Sequence, residues 1–325
     1  MSLNSKIHKS RKNMILVTLL TILLISSLSI ACYIVIMNSK NTPTKNNPSQ
    51  KIQITNEVQL VNAINTITKH TKLILNNDIT LTDSLIIPGN KKVTLTSSNK
   101  NVFFRLNGAS GQDTIIVQNG GTLTLDGIIV THTSGNGRGI AVTNGGTLIM
   151  YSGEISGNSD TENSKHFLPG DPYSIGGGVF NMGTFEMSGG KISNNTSKNG
   201  YGGGVYNLGL FTMFGGEISN NIALATNQNL SYGGGVFNGA KFSMSGGKIS
   251  NNTSIYGGGI YVTTGNRHAD GTCDGSFSMS GGKISNNTAQ YGGGVYYFMN
   301  TFKREGGEIS RNTAPEGKDL YKKDW

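Results

Sequence analysis

Five aromatic residues, Phe180, Tyr206, Phe237, Tyr261 and Tyr296, recur at intervals of 26, 31, 24 and 35 residues, each four positions after the start of a glycine triplet. Rings held at one position of a repeat suit one chemistry above others. Sugar faces stack on aromatic platforms, and a tyrosine keeps a polar tip for hydrogen bonding. The competing reading is that the rings pair across neighbouring strands and stabilise a sheet, at about 0.2–1 kcal/mol per pair. The triplets themselves are no phosphate cradle, since no Lys-Ser/Thr pair follows them.

Groups that could move protons lie elsewhere. Arg267, His268, Asp270 and Asp274 crowd one stretch, and Asp160, Glu162, His166 and Asp171 another. A polysaccharide lyase needs a basic group beside carboxylates that hold Ca²⁺ or neutralise a uronate, and a hydrolase needs paired carboxylates at a set separation. Both sets fall in insertions, where catalytic groups are poorly preorganised. The expectation is therefore no catalytic residue, no cofactor and no metal site. The candidate ligand-binding residues are the five aromatics with Arg267, His268, Asp270 and Asp274.

The scaffold carrying these residues is a repeat. Triplets start at Gly176, Gly202, Gly233, Gly257 and Gly292, and each unit reads GGG-V/I-F/Y, then F-x-M, then GG-K/E-I-S-N-N. Two looser units, IIVQNGGTLTL from Ile115 and IAVTNGGTLIM from Ile140, precede them at an offset of 25. The minimal unit of about 24 residues has room for three short strands and three turns, but not for a helix. In FEMSG, alternation puts Phe185 and Met187 on one face and Glu186 on the other.

Stacking the units predicts four inward columns. They are Phe185, Phe211, Phe242, Phe277 and Phe302; Met187, Met213, Met244 and Met279; Ile192, Ile218, Ile249, Ile284 and Ile309; and Val179, Val205, Val236, Ile260 and Val295. The fold so predicted is all-β, a single-stranded parallel β-helix whose coils stand only by stacking on neighbours.

Smaller features follow from the same register. Glu154, Lys191, Glu217, Lys248, Lys283 and Glu308 should form an outward charge ladder, and Asn194, Asn220, Asn251 and Asn286 side-chain ladders that bond turn amides. The glycines should be a strand stripped of side chains, a flat floor beside the aromatic column. Insertions at 157–174 and 223–231 enter the glycine strand, and one at 263–275 leaves it. They would wall that face into a groove, unless they are neutral additions at exposed corners.

Residues 55–67 read as a short capping helix with Val58, Val61, Ala63, Ile64 and Ile67 near a helical period. At the far end Arg304 stands where the methionine column would continue, and PEGKDLYKKDW reads as a worn terminal rung.

The run at 14–37 has no charge and is long enough to cross a bilayer as one helix. Lys6, Lys9, Arg11 and Lys12 precede it, so the positive-inside rule keeps 1–13 in the cytoplasm and exports the rest. An uncleaved single-pass signal-anchor is the first reading. Cleavage after Ser29-x-Ala31 and lipid attachment at Cys32 stay open, and all three put residue 38 onward outside the cytoplasm. A polar linker, 38–51, broken by Pro43 and Pro48, leads to the β-helix domain, 52–325.

The formal charge is +9, of which the four leading cations account for four, leaving the exported part near +5. Those charges are scattered, so no nucleic-acid groove is expected. A polysaccharide or wall glycan remains open as a partner, as does the oligomeric state. Cys32 and Cys273 are the two cysteines, so neither a disulfide within the exported domain nor a cysteine-built zinc site is available.

GGGVFNMGTFEMSGGKISNNT, with the lead-in ILNNDITLTDSLIIPGNKKVTLTSS, resembles the pectin-lyase-like right-handed β-helix proteins, often called adhesin-like, exported by bacteria and some archaea. The likeness covers roughly residues 52–325. It implies a right-handed β-helix at the cell surface, but that superfamily holds lyases, hydrolases, esterases and non-enzymatic adhesins, so it implies no single activity. GGG-V/I-F/Y stands here in place of the GGA-I of the polymorphic outer-membrane proteins. A non-catalytic, membrane-anchored adhesin-like protein is the reading adopted. A pectate-lyase-like enzyme and a passive surface spacer are the alternatives.

Overall fold

The computed structural model describes residues 48, 50–133, 136–160, 175–198, 200–224, 230–265, 274–298 and 301–324. The expected anchor at 14–37 lies outside them. No helix among the described residues is long and apolar enough to cross a membrane.

Each repeat contributes three short strands, and strands of successive coils pair in parallel, in the register the repeat predicts. Thr184–Met187, Leu210–Met213, Lys241–Met244, Ser276–Met279 and Phe302–Arg304 form one stack. Lys191–Ser193, Glu217–Ser219, Lys248–Ser250, Lys283–Ser285 and Glu308–Ser310 form the next. The ten-residue strands Thr122–Thr131 and Thr147–Ser156 run through both stacks and join them into one curled sheet.

A nine-stranded sheet, from Leu85–Ile87 to Leu320–Lys323, carries the strands that follow the glycines. This is a parallel β-helix-like coil stack.

The four inward columns close as predicted. Phe185, Phe211, Phe242, Phe277 and Phe302 stack ring on ring at 4.7, 4.5, 4.8 and 5.1 Å. The methionine, isoleucine and valine columns are buried beside them. The second glycine of each GG holds a left-handed turn, with φ of 79°, 85°, 83°, 84° and 75° at Gly190, Gly216, Gly247, Gly282 and Gly307, and the column methionine of the preceding coil packs over it. In the last coil Arg304 ends that column, donating from Nε and Nη2 to the Gly306 and Gly307 carbonyls and so satisfying edge acceptors. The tail adds a single strand, Leu320–Lys323, to the glycine sheet, where Leu320 pairs with Val295 and Tyr321 with Tyr296.

At the other end a helix, Glu57–Thr66, covers the first coils. Asn56 caps it by accepting from the Gln59 amide. Its buried stripe differs from the expected one: Leu60, Ala63, Ile64 and Ile67 point inward, while Val58 is 67% exposed. The i, i+4, i+7 row through Leu60 meets the coil end, which leaves Val58 and Val61 beside an open hollow against Leu81 and Leu85.

The asparagine ladder is real but sits one residue later than expected. Asn194, Asn220, Asn251 and Asn286 are exposed, with left-handed φ of 56°, 58°, 57° and 59°. That turn swings the next residue inward, and Asn195, Asn221, Asn252, Asn287 and Asn312 build the buried ladder. Each Nδ2 donates to the Oδ1 of the next coil, at 2.9–3.0 Å. Its other hydrogen goes to an isoleucine carbonyl behind it, which fixes the amide orientation. The charge ladder is in register, with Lys283–Glu308 at 2.9 Å and Lys248–Glu217 at 3.8 Å.

Candidate functional site

The glycine triplets make a corner. In each, the first glycine has a left-handed φ, from +62° at Gly202 to +75° at Gly176, and the ladder bonds run on through the turn, as from Gly203 N to the Gly233 carbonyl. The next two lie against the opposite wall of the coil, so the flat open floor expected beside the aromatics is absent. A Cβ on Gly203 would stand 2.6 Å from the Ile222 and Gly234 carbonyl oxygens, and one on Gly204 2.9 Å from Asn221 Nδ2. The triplets are bare because two walls of the coil close on each other there.

Where the floor was expected stands a second aromatic column that the sequence reading missed. The residue before each of four triplets is Tyr201, Tyr232, Tyr256 or Tyr291, stacked at 5.2, 5.2 and 5.0 Å. The predicted column runs alongside, Phe180, Tyr206, Phe237, Tyr261 and Tyr296 stacking at 5.8, 4.6, 5.4 and 5.2 Å, and the structure extends it by Tyr321, 5.0 Å from Tyr296. The two interlock, Tyr201 edge-on to Phe237 and Tyr256 edge-on to Tyr296.

Mutual cover changes what is available. Phe180, Phe237, Tyr261 and Tyr296 retain 3, 7, 9 and 6% exposure, while Tyr201, Tyr206, Tyr232, Tyr256 and Tyr291 are half-buried. The accessible surface of the corner thus belongs mainly to Tyr201, Tyr206, Tyr232, Tyr256 and Tyr291. Burial, reinforced by neighbouring tyrosines, pushes the Tyr296 hydroxyl up to about 12 and raises Tyr261 and Tyr232 as well. These phenols remain neutral donors near neutral pH. The missed signal was legible: Tyr precedes the glycines in four of the five triplet units.

At the other end of the glycine-sheet strands lies an open hollow of about 740 Å³, lined by Met182, Leu208, Leu210, Gly239, Lys241 and Asp274 among others. Leu208 Cδ2 rests over Gly239, beside the Phe237 ring, so hollow and columns adjoin. Asp274 is exposed on its rim. Arg267, His268 and Asp270 lie outside the described residues, as do Glu162, His166 and Asp171. Among the described residues, no group of three or more His, Cys, Asp and Glu side chains is placed to hold a metal ion. No family model, curated protein or solved structure matches the chain.

One further polar centre emerges only in three dimensions. The middle-glycine position is occupied in two earlier coils by Asp113 and Arg138, both fully buried. Arg138 Nε donates to Asp113 Oδ1 at 2.7 Å and Nη2 to Oδ2 at 3.1 Å, and the guanidinium lies 4.6 Å from the centre of the Phe180 ring.

His132 stands beside this pair, with Nδ1 2.9 Å from Asn158 Oδ1 and Nε2 3.1 Å from the Gln112 carbonyl. Asn158 is the first amide of the buried ladder, donating to Asn195. At the far end Asn312 donates to the Asp319 carboxylate at 2.9 Å. The ladder therefore runs in one direction, from an imidazole to a carboxylate that can only accept.

Proposed function

We propose that this chain is a pectin-lyase-like, adhesin-like β-helix, anchored in the cell membrane by residues 14–37, that presents its tyrosine corner to a glycan or cell-wall polymer and catalyses no reaction. The observation that carries the reading is the paired column of tyrosines. Tyr201, Tyr232, Tyr256 and Tyr291 repeat one half-buried tyrosine per coil, next to the hollow lined by Leu208 and Leu210. A periodic row of donors beside apolar surface matches a periodic polymer whose residues each offer a C–H face and hydroxyls. Lys241 and Asp274 on the hollow add charge selectivity.

The test is a glycan array probed with the full chain and with the double variant Tyr232→Phe/Tyr256→Phe, which keeps both rings and removes two phenols. Binding should weaken at least several-fold in the variant while its thermal midpoint holds. Equal binding by both proteins would remove the corner as the site. Silence on every glycan would favour the passive-spacer reading. Release of unsaturated or reducing ends from polygalacturonate, with or without Ca²⁺, would favour the lyase or hydrolase reading instead.

A further inference from the structure

The turn that carries the first asparagine of each pair also carries an acceptor motif for N-linked glycan, N-x-S/T. Six asparagines satisfy it: Asn194, Asn195, Asn229, Asn251, Asn252 and Asn286. Sequence alone does not rank them, and the structure does. Asn195 and Asn252 are fully buried in the amide ladder, where Nδ2 already donates twice, so a saccharide on either would preclude the coil. Asn229 lies outside the described residues.

Asn194, Asn251 and Asn286 are exposed at the apex of a left-handed turn. Asn251 and Asn286 make no side-chain hydrogen bond to a described residue, and Asn194 makes a single 3.3 Å bond to Ser193. Their third-position threonines form an outward column of their own through Thr196, Ile222, Thr253, Thr288 and Thr313. Asn220 occupies the same turn but has Ile222 at the third position, and the last coil has Arg311 in place of the asparagine.

We infer that Asn194, Asn251 and Asn286 are N-glycan acceptor sites, which makes this corner of the coil stack sugar-bearing. The inference rests on the proposed export of residue 38 onward. In the transfer the donor is a saccharide linked to a polyprenyl (pyro)phosphate. An Nδ2–H bond breaks and an Nδ2–C1 bond forms. The C1–O bond to the carrier phosphate breaks, the carrier leaves as its (pyro)phosphate, and the amide proton passes to a base of the transferase.

The full chain is expressed in cells whose export route carries a motif-reading oligosaccharyltransferase, labelled with a membrane-impermeant biotin reagent, and the labelled fraction is read by glycopeptide mass spectrometry. Saccharide should be found on Asn194, Asn251 and Asn286 and be absent from Asn195 and Asn252. Thr253→Val should remove the glycan from Asn251 without touching the left-handed turn, and Thr253→Ser should keep it. Ile222→Thr should add one glycan, at Asn220. Labelled chain without saccharide, beside an occupied control protein, overturns the inference alone. So does occupancy of Asn195 or Asn252. Absence of labelled chain overturns the export reading and this inference with it.

Discussion

Two adjacent asparagines of identical type have opposite roles, and conformation decides which is which. Asn251, at φ 57°, faces solvent, whereas Asn252 accepts from the backbone N–H and Nδ2 of Asn221 inside the wall. Asn252→Ala strands two buried donors, at about 1–3 kcal/mol each. Asn251→Gly keeps the left-handed turn and should stay within about 0.5 kcal/mol of the parent. Denaturant midpoints of the two variants check this, and similar losses would refute the assignment.

The tyrosine hydroxyls make a second residue-scale claim. Burial and neighbouring tyrosines raise Tyr296 to about 12 when folded, against an ordinary value of 10. Above pH 10 the unfolded chain therefore binds fewer protons than the folded one, and stability falls. The contribution is complete below pH 10 and is lost as pH climbs toward about 12. Thermal midpoints between pH 8 and 11.5 should drop more gently for Tyr261→Phe/Tyr296→Phe than for the parent, and parallel curves would refute the cause given.

At the scale of the element, the glycine corner is set by clearance as well as by its left-handed first position. A Cβ on Gly234 would meet the Thr253 carbonyl oxygen at 2.5 Å and the Gly258 carbonyl oxygen at 2.6 Å, both backbone atoms of a coil that cannot retreat. One on Gly239 would meet Leu208 Cδ2 at 2.7 Å, the free end of a flexible side chain. Gly234→Ala should therefore cost about 1–3 kcal/mol or more, and Gly239→Ala much less, as read from melting temperature and soluble yield. Strand positions and the inward columns of Phe, Met, Ile and Val were legible from alternation and repeat. The corner was not, because three glycines in a row are equally consistent with an extended strand and with a turn pressed between two walls.

For the whole molecule, each coil is an exchangeable unit that contacts only its neighbours. Deleting residues 233–256 joins Tyr232 to Gly257 and removes one complete period, so Asn221 would meet Asn287 and Phe211 would meet Phe277. The deletion should keep the β-type circular dichroism and a cooperative melt, with a stack shorter by about 4.8 Å in small-angle scattering. Deleting 233–244 alone breaks the register and should unfold the protein. Equal tolerance of both deletions would contradict the stacking rule.

The sequence by itself determined the repeat, its all-β character, the strand faces and the register, because period-2 alternation and a recurring unit are one-dimensional properties of the chain. Only the tertiary structure decided which asparagine of each pair is buried and that the glycines close a corner. It also decided that Asp113 and Arg138 pair inside that corner, and that a second row of tyrosines covers the first. Those outcomes depend on the hand of single turns and on the distance between walls that meet across the coil, quantities that spacing along a chain does not encode.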